Sequence, residues 1–178
     1  MDFTILPIIF IIGFLTKFAD LISDDGLKVI KPLDYITGIL YGVLIAYVIY
    51  AYPLYTQLAL AVTVAVIVMG KIDSMPHNLG IAALIVSIAY FGIPAIDITL
   101  LALFLLAGIS DEIANDIADK KKKKGLREKI FEKRLILEVT VFAVSFITGQ
   151  WMLFIGMLTF DIGYHGTTKI GEKLIKAR

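Results

Sequence analysis

Cysteine is absent from the 178 residues of this chain. That absence excludes disulfides, zinc–thiolate sites, iron–sulfur clusters and cysteine nucleophiles together. Charged residues are also scarce, at 19% of the chain, whereas 58% of the residues are hydrophobic. A water-soluble domain of this size carries more charge and less apolar surface. The composition therefore predicts an all-α integral membrane protein.

Net charge is low as well, at +1, and the charges lie in clusters between apolar runs. This distribution gives no support to a nucleic-acid partner. The first apolar run follows Met1 and Asp2 with neither a basic segment nor a small-residue cleavage site, so we expect it to be retained as a membrane span. The sequence predicts a multi-pass protein of the plasma membrane whose main partner is lipid.

Seven apolar runs are candidates for membrane spans, because a helix of roughly 20 residues crosses about 30 Å of hydrocarbon. Proline and glycine separate several of them and predict tight antiparallel connections. The predicted spans cover approximately residues 3–22, 33–52, 54–70, 79–92, 95–116, 131–149 and 150–170.

Lysine and arginine predict the orientation, since cationic loops are retained in the cytoplasm. With seven spans, every Lys and Arg falls on one side, and the opposite turns contain neither. The N-terminus is then outside, and the basic tail 171–178 is cytoplasmic. The lysines at 120–124 are expected to anchor that side and to attract anionic lipid head groups.

Acidic and histidine residues gather near the predicted cytoplasmic ends of the spans. Within a membrane such residues cost about 2.5 to 3.5 kcal/mol each and usually face a cavity, a partner or an ion. Side chains four residues apart share one helix face, at a distance that suits two ligands of one ion. Besides Glu128 with Glu132, four pairs have this spacing: Asp20 with Asp24, Asp73 with His77, Glu112 with Asp116, and Asp161 with His165.

The order of these pairs suggests an internal duplication. A carboxylate–carboxylate pair is followed by an aspartate–histidine pair, and the same order then recurs. Residues 19–24 are also weakly similar to residues 111–116. We therefore predict a parallel 3+1+3 arrangement, with repeat one at 1–78, a connecting span at 79–94 and repeat two at 95–170.

Six carboxylates and two imidazoles form a ligand set that suits Mg²⁺ or Mn²⁺ best and also permits Ca²⁺, Zn²⁺ or Fe²⁺. All eight paired residues are therefore predicted metal ligands. Two ions would clamp a phosphate or pyrophosphate group, and His77 and His165 would carry protons. Lys17, Lys71 and Arg134 are predicted to contact phosphate or to act as counter-ions.

Asn115-Asp116-x2-Asp119 resembles a fragment of the aspartate motif of intramembrane aromatic prenyltransferases. Those enzymes hold a prenyl pyrophosphate through magnesium. The similarity covers these few residues, a second motif of that family is not evident, and the chain is much shorter. The resemblance therefore implies related chemistry at Asp116 without membership of the family.

These observations favour a metal-dependent membrane enzyme that acts on a phosphorylated or pyrophosphorylated lipid at the cytoplasmic side. The alternative is a divalent-cation transporter or channel with a carboxylate and histidine site between the repeats. A lipid-binding or assembly factor without catalysis is a third interpretation. A solvated interfacial role for the paired residues also stays open.

Overall fold

The computed structural model describes residues 3–27, 32–119 and 135–176. Apart from short turns and connections these residues are helical, and they contain no strand, which confirms the all-α prediction. Short 3-10 helices at Phe3–Ile5 and Pro53–Tyr55 precede two of the α-helices. In the described part of the chain the α-helices are α1 (Leu6–Ser23), α2 (Leu33–Ala51), α3 (Thr56–Val68), α4 (Met75–Phe91), α5 (Ile98–Asp119), α6 (Leu135–Thr148) and α7 (Trp151–Lys176).

Each of the seven α-helices coincides with one predicted span, although several bounds differ. Helix α4 begins at Met75, four residues before the predicted start, because Pro76 fits the first turn of a helix, where no backbone N–H is needed. Gly92 ends α4 with a φ of 87°, and Gly149 separates α6 from α7 with a φ of 72°. Glycine adopts such positive φ values without steric cost. The predicted cationic anchor at 120–124 lies outside the described residues.

In the part of the chain that the structure describes, three helices are long and apolar enough to cross a membrane: Phe3–Ser23, Leu33–Ala51 and Ile98–Ala118. Shorter apolar helices cover Pro53–Val68, Met75–Phe91 and Leu135–Thr148. Large apolar side chains also stand exposed on the helices, among them Tyr90 and Ile147 at 84% and 81%. Hydrocarbon is the solvent that suits such surfaces. The count of seven spans and their orientation stay predictions.

The chain divides into two compact units, each of which packs mainly within itself. The first unit consists of Met1–Pro53, Asp73–Pro94 and Ile155–Arg178. It contains α1, α2, α4 and most of α7. The second unit consists of Leu54–Ile72 and Ala95–Phe154. It contains α3, α5 and α6.

Glycine allows the helices of the first unit to pack closely. Helix α2 packs along α4, where a Cβ atom at Gly38 or Gly42 would overlap the backbone carbonyl of Pro76 or Gly80. Small residues are enriched at helix contacts in membranes because they bring two backbones together. These contacts bring polar side chains of neighbouring helices within reach of each other.

Helices α1 and α7 of the first unit make a similar close contact. A Cβ atom at Gly13 would overlap the carbonyl oxygen of Phe160, and one at Gly163 would overlap that of Phe10. The two glycines thus face the partner helix from both sides of the contact. The pairing fixes α7 beside the polar end of α1.

In the second unit, α5 packs against both α3 and α6. A Cβ atom at Gly108 would lie 3.2 Å from the Cβ of Ala65, so α3 and α5 also approach closely. The Tyr55 hydroxyl donates a hydrogen bond of 2.6 Å to the carbonyl oxygen of Met152. A buried phenol needs such a partner.

The two compact units interleave along the chain and do not coincide with the predicted repeats 1–78 and 95–170. A compact unit groups residues by packing, whereas a duplication concerns the origin of the sequence. The predicted repeats, the connector 79–94 and the tail 171–178 therefore stay predictions.

Candidate functional site

The candidate site in the first unit is built around Asp20 and His77. Asp20 lies in the last turn of α1, and His77 lies in the first turn of α4. The imidazole Nε2 is 2.8 Å from Asp20 Oδ1, and the histidine and aspartate side chains are only 13% and 18% exposed, respectively. The structure thus brings together one member from each of two predicted pairs, 57 residues apart in sequence.

The second carboxylate oxygen of Asp20 has partners of its own. The Tyr164 hydroxyl donates a hydrogen bond of 2.6 Å to Asp20 Oδ2, and Lys17 Nζ lies 3.7 Å from the same oxygen. Lys17 also donates to Asp25 Oδ2 at 3.1 Å and stands 5.6 Å from the centroid of the Tyr164 ring. A hydrogen-bond donor and a cation therefore compensate the charge of a largely buried carboxylate.

Tyr41 of α2 contacts the other side of the His77 ring. Its hydroxyl oxygen is 2.9 Å from His77 Nδ1 and 3.5 Å from the His77 carbonyl oxygen. The tyrosine is 5% exposed. Gly80 leaves the room that the phenol occupies, because a Cβ atom at that position would overlap it. Both ring nitrogens of His77 therefore face a polar partner.

Tyr41 and Tyr164 were not among the residues predicted from the sequence. Charge and i,i+4 spacing identify carboxylates and imidazoles, and neither criterion detects a phenol. One signal was present: each tyrosine lies inside an apolar run directly beside a glycine, at Tyr41-Gly42 and Gly163-Tyr164. Those glycines mark the close helix contacts that bring the two tyrosine hydroxyls to His77 and Asp20.

The other predicted site residues of the first unit lie at varied depths. The side chains of Asp24 and Asp73 are exposed, and Asp24 forms the C-cap of α1, its N–H donating to the Asp20 carbonyl at 2.8 Å. On α7, Asp161 is partly buried, whereas His165 is exposed and has its ring 5.7 Å from that of Tyr164.

Predicted site residues also occur in the second unit. Lys71 forms an ion pair with Asp116 of α5, which joins two residues predicted to serve the same site. Glu112 lies one turn before Asp116 and is 7% exposed. Arg134, the third predicted phosphate contact, lies outside the described residues.

Asp111, a neighbour that the sequence did not single out, is 4% exposed. Its carboxylate accepts hydrogen bonds from the backbone N–H groups of Ile136 and Leu137 at 3.0 and 2.7 Å. These N–H groups belong to the first turn of α6, where no intrahelical acceptor exists. Asp111 therefore caps α6 from another helix.

Among residues 3–27, 32–119 and 135–176, no group of three or more His, Cys, Asp or Glu side chains is placed to hold a metal ion. The predicted eight-ligand centre stays a prediction. Magnesium commonly binds through one or two carboxylates and completes its shell with water and substrate phosphate.

Comparison with known proteins gave no relative: no family model, curated protein or solved structure matches the chain.

Proposed function

We propose that this chain is an integral membrane enzyme that hydrolyses or transfers the phosphate or pyrophosphate group of a membrane lipid. The observation that carries the proposal is the hydrogen-bonded pair of Asp20 and His77, with Lys17 Nζ 3.7 Å from the same carboxylate. A carboxylate, an imidazole and a cation in contact supply both proton transfer and anion binding.

Each group has a distinct role in the proposed reaction. Asp20 fixes the ring of His77 and stabilises its protonated form, as a carboxylate does for the histidine of hydrolytic triads. His77 takes a proton from the attacking hydroxyl or water and returns it to the leaving oxygen. Lys17 contacts a phosphate oxygen.

A divalent metal, Mg²⁺ or Mn²⁺, belongs to the same proposal. When bound, the ion would neutralise phosphate charge and polarise the phosphorus centre. Asp24 and Asp161, which belong to the same unit as Asp20 and His77, are carboxylates that suit a hard cation. The second histidine, His165, is an exposed reserve proton carrier in this proposal.

The substrate class follows from the setting of the site. Asp20 ends an apolar helix that is long enough to cross a membrane, so its carboxylate lies at a helix terminus where lipid head groups are found. The distribution of Lys and Arg favours the cytoplasmic leaflet of the plasma membrane. A lipid head group reaches such a site without leaving the bilayer.

Phosphate release tests the proposal directly. Purified protein in mixed micelles is supplied with a lipid monophosphate or a polyprenyl pyrophosphate, with Mg²⁺, with Mn²⁺ or with a chelator. We expect metal-dependent turnover that falls by about a hundredfold in Asp20→Asn and His77→Gln.

The matched control is Asp34→Asn, because the Asp34 carboxylate accepts from the adjacent backbone N–H of Tyr35 at 2.9 Å. It should retain parental turnover. Folded Asp20→Asn and His77→Gln proteins with full turnover would refute the assignment. Uptake of divalent cations into proteoliposomes without any phosphate release would refute the enzyme proposal and support a divalent-cation transporter or channel.

A further inference from the structure

The site contains a continuous row of hydrogen bonds between four helices of the first unit. Tyr41 Oη of α2 is 2.9 Å from His77 Nδ1 of α4, and His77 Nε2 is 2.8 Å from Asp20 Oδ1 of α1. Tyr164 of α7 closes the row with its 2.6 Å bond to Asp20 Oδ2. The protons in such a row are not independent of one another.

The hydrogen-bonding capacity of each group fixes where the protons lie. Asp20 accepts from the Tyr164 hydroxyl and has Lys17 beside it, so its ionised carboxylate offers acceptors alone. Nε2 of His77 must then carry a hydrogen to bond to Asp20. A neutral imidazole has one N–H, so its Nδ1 is an acceptor and the Tyr41 hydroxyl donates to it.

Local packing explains why the phenol reaches the ring. Gly80 lies one turn after His77 on α4, and a Cβ atom there would overlap the Tyr41 hydroxyl and ring. Gly42, adjacent to Tyr41 on α2, permits close contact with the Gly80 carbonyl. Because Gly42 and Gly80 have no side chain, the phenol of Tyr41 fits between the backbones of α2 and α4.

We propose that Tyr41 is a positioning residue for His77: while Asp20 accepts from Nε2–H and so sets the tautomer, the Tyr41 hydroxyl donates to Nδ1 and fixes the orientation of the ring. The catalytic meaning of this role rests on the proposed function, in which a correctly oriented, neutral His77 must take up a proton. The tautomer itself is a property of the protein without substrate.

Nitrogen NMR of the imidazole tests the tautomer, because the chain has only two histidines. In a His165→Gln background His77 is the sole imidazole, and ¹⁵N-histidine labelling reports both of its ring nitrogens. In alkaline buffer, where the ring is neutral, we expect a protonated Nε2 and an unprotonated Nδ1. Should His165→Gln fail to fold, the parent chain gives two sets of signals, of which the His77 set is lost in His77→Gln.

The deciding variant is Tyr41→Phe, which removes the hydroxyl and keeps the ring. We expect Nε2 to keep its protonated shift, because Asp20 still accepts from it, and Nδ1 to move toward the shift of an unprotonated nitrogen without a hydrogen bond. Tyr47→Phe is the matched control, because Tyr47 is an exposed tyrosine of the same helix, and it should keep the parental shifts. Unchanged shifts in Tyr41→Phe, or an Nδ1–H tautomer in the parent, would overturn the proposal.

Gly80→Ala provides a second variant that leaves Tyr41 intact and displaces its phenol. We expect the same change of the Nδ1 signal, and parental shifts in a folded Gly80→Ala protein would contradict the proposed packing. In the phosphate-release assay Tyr41→Phe should lower kcat about tenfold or more with KM little changed. Absence of turnover in the parent defeats the proposed function alone, because the NMR result stands or falls without substrate.

Discussion

The Tyr164 hydroxyl donates a hydrogen bond of 2.6 Å to Asp20 Oδ2 across 144 residues of sequence. The bond joins the first and the last α-helix among the described residues, and both helices belong to the first unit. Because Asp20 also contacts His77 and Lys17, this one carboxylate connects three helices. The site is therefore also a structural junction, and its variants must be judged on stability as well as on turnover.

Removal of the Tyr164 hydroxyl should destabilise the protein. Tyr164→Phe leaves the largely buried Asp20 carboxylate without its strongest neutral donor, and we expect a loss of about 1 to 3 kcal/mol in the free energy of unfolding. Thermal unfolding in detergent measures the effect. Tyr90→Phe is the control, because Tyr90 is 84% exposed. Equal melting temperatures for the two variants would show that the Tyr164 bond contributes nothing.

Asp20 and His77 should be energetically coupled. In a double-mutant cycle of Asp20→Asn and His77→Gln, we expect an interaction free energy of about 1 to 3 kcal/mol, because the two side chains share a hydrogen bond in a largely buried place. Asp34→Asn combined with His77→Gln is the reference cycle and should be additive. Additivity in both cycles would argue against the pair.

The packing of α1 against α7 predicts opposite effects for two glycines one turn apart on α7. Gly163→Ala would drive its Cβ atom into the Phe10 carbonyl, whereas a Cβ atom at Gly166 meets nothing within 4 Å. We expect Gly163→Ala to lower stability by about 1 to 3 kcal/mol. Gly166→Ala should raise it by up to about 1 kcal/mol, because alanine favours the helix. Thermal unfolding of the two variants side by side measures both effects. An unchanged stability of Gly163→Ala would rule out the close contact between α1 and α7.

Capping by Asp111 should hold the start of α6. Asp111→Ala removes the acceptor of the Ile136 and Leu137 N–H groups, and we expect a loss of about 1 to 2 kcal/mol. Hydrogen exchange should speed up at those two amides. Ser110→Ala is the control, because the exposed Ser110 hydroxyl donates to the Leu106 carbonyl of its own helix. Exchange rates equal to the parent's in Asp111→Ala would disprove the cap.

The absence of native cysteine makes the predicted orientation easy to test. Single cysteines are introduced at Gln150 and at Asn78, both of which are exposed. With the N-terminus outside, a membrane-impermeant maleimide added to intact cells should label Gln150→Cys and should reach Asn78→Cys only after permeabilisation. The reverse pattern would invert the topology, and with it the leaflet of the proposed substrate.

Much of the fold could be predicted from the sequence because its signals are local. Apolar runs between prolines, glycines and charge clusters marked each α-helix of the described residues, since hydropathy and chain-breaking residues act within one segment. The bounds were less accurate at Met75, where a proline in the first turn extends α4 beyond the apolar run. Span count and orientation depend on the bilayer and await the labelling experiment.

The residues of the candidate site could be predicted only in part. Spacing and charge singled out Asp20 and His77, and the two side chains do meet. The i,i+4 criterion paired Asp20 with Asp24 and His77 with Asp73. It finds neighbours on one helix and does not detect contacts between two helices. Tyr41 and Tyr164 carry no charge to distinguish them from other aromatic residues of the apolar runs.

The sequence by itself determined that the chain is helical and apolar, and that its ionisable groups stand near helix ends, because composition and periodicity act over a few turns. Only the tertiary structure decided which of those groups meet. Close helix packing at Gly42, Gly80 and Gly163 brings backbones near enough for two phenols to enclose one aspartate–histidine pair. The physical reason is that a side-chain hydrogen bond forms within about 3 Å, a distance set by the packing of whole helices.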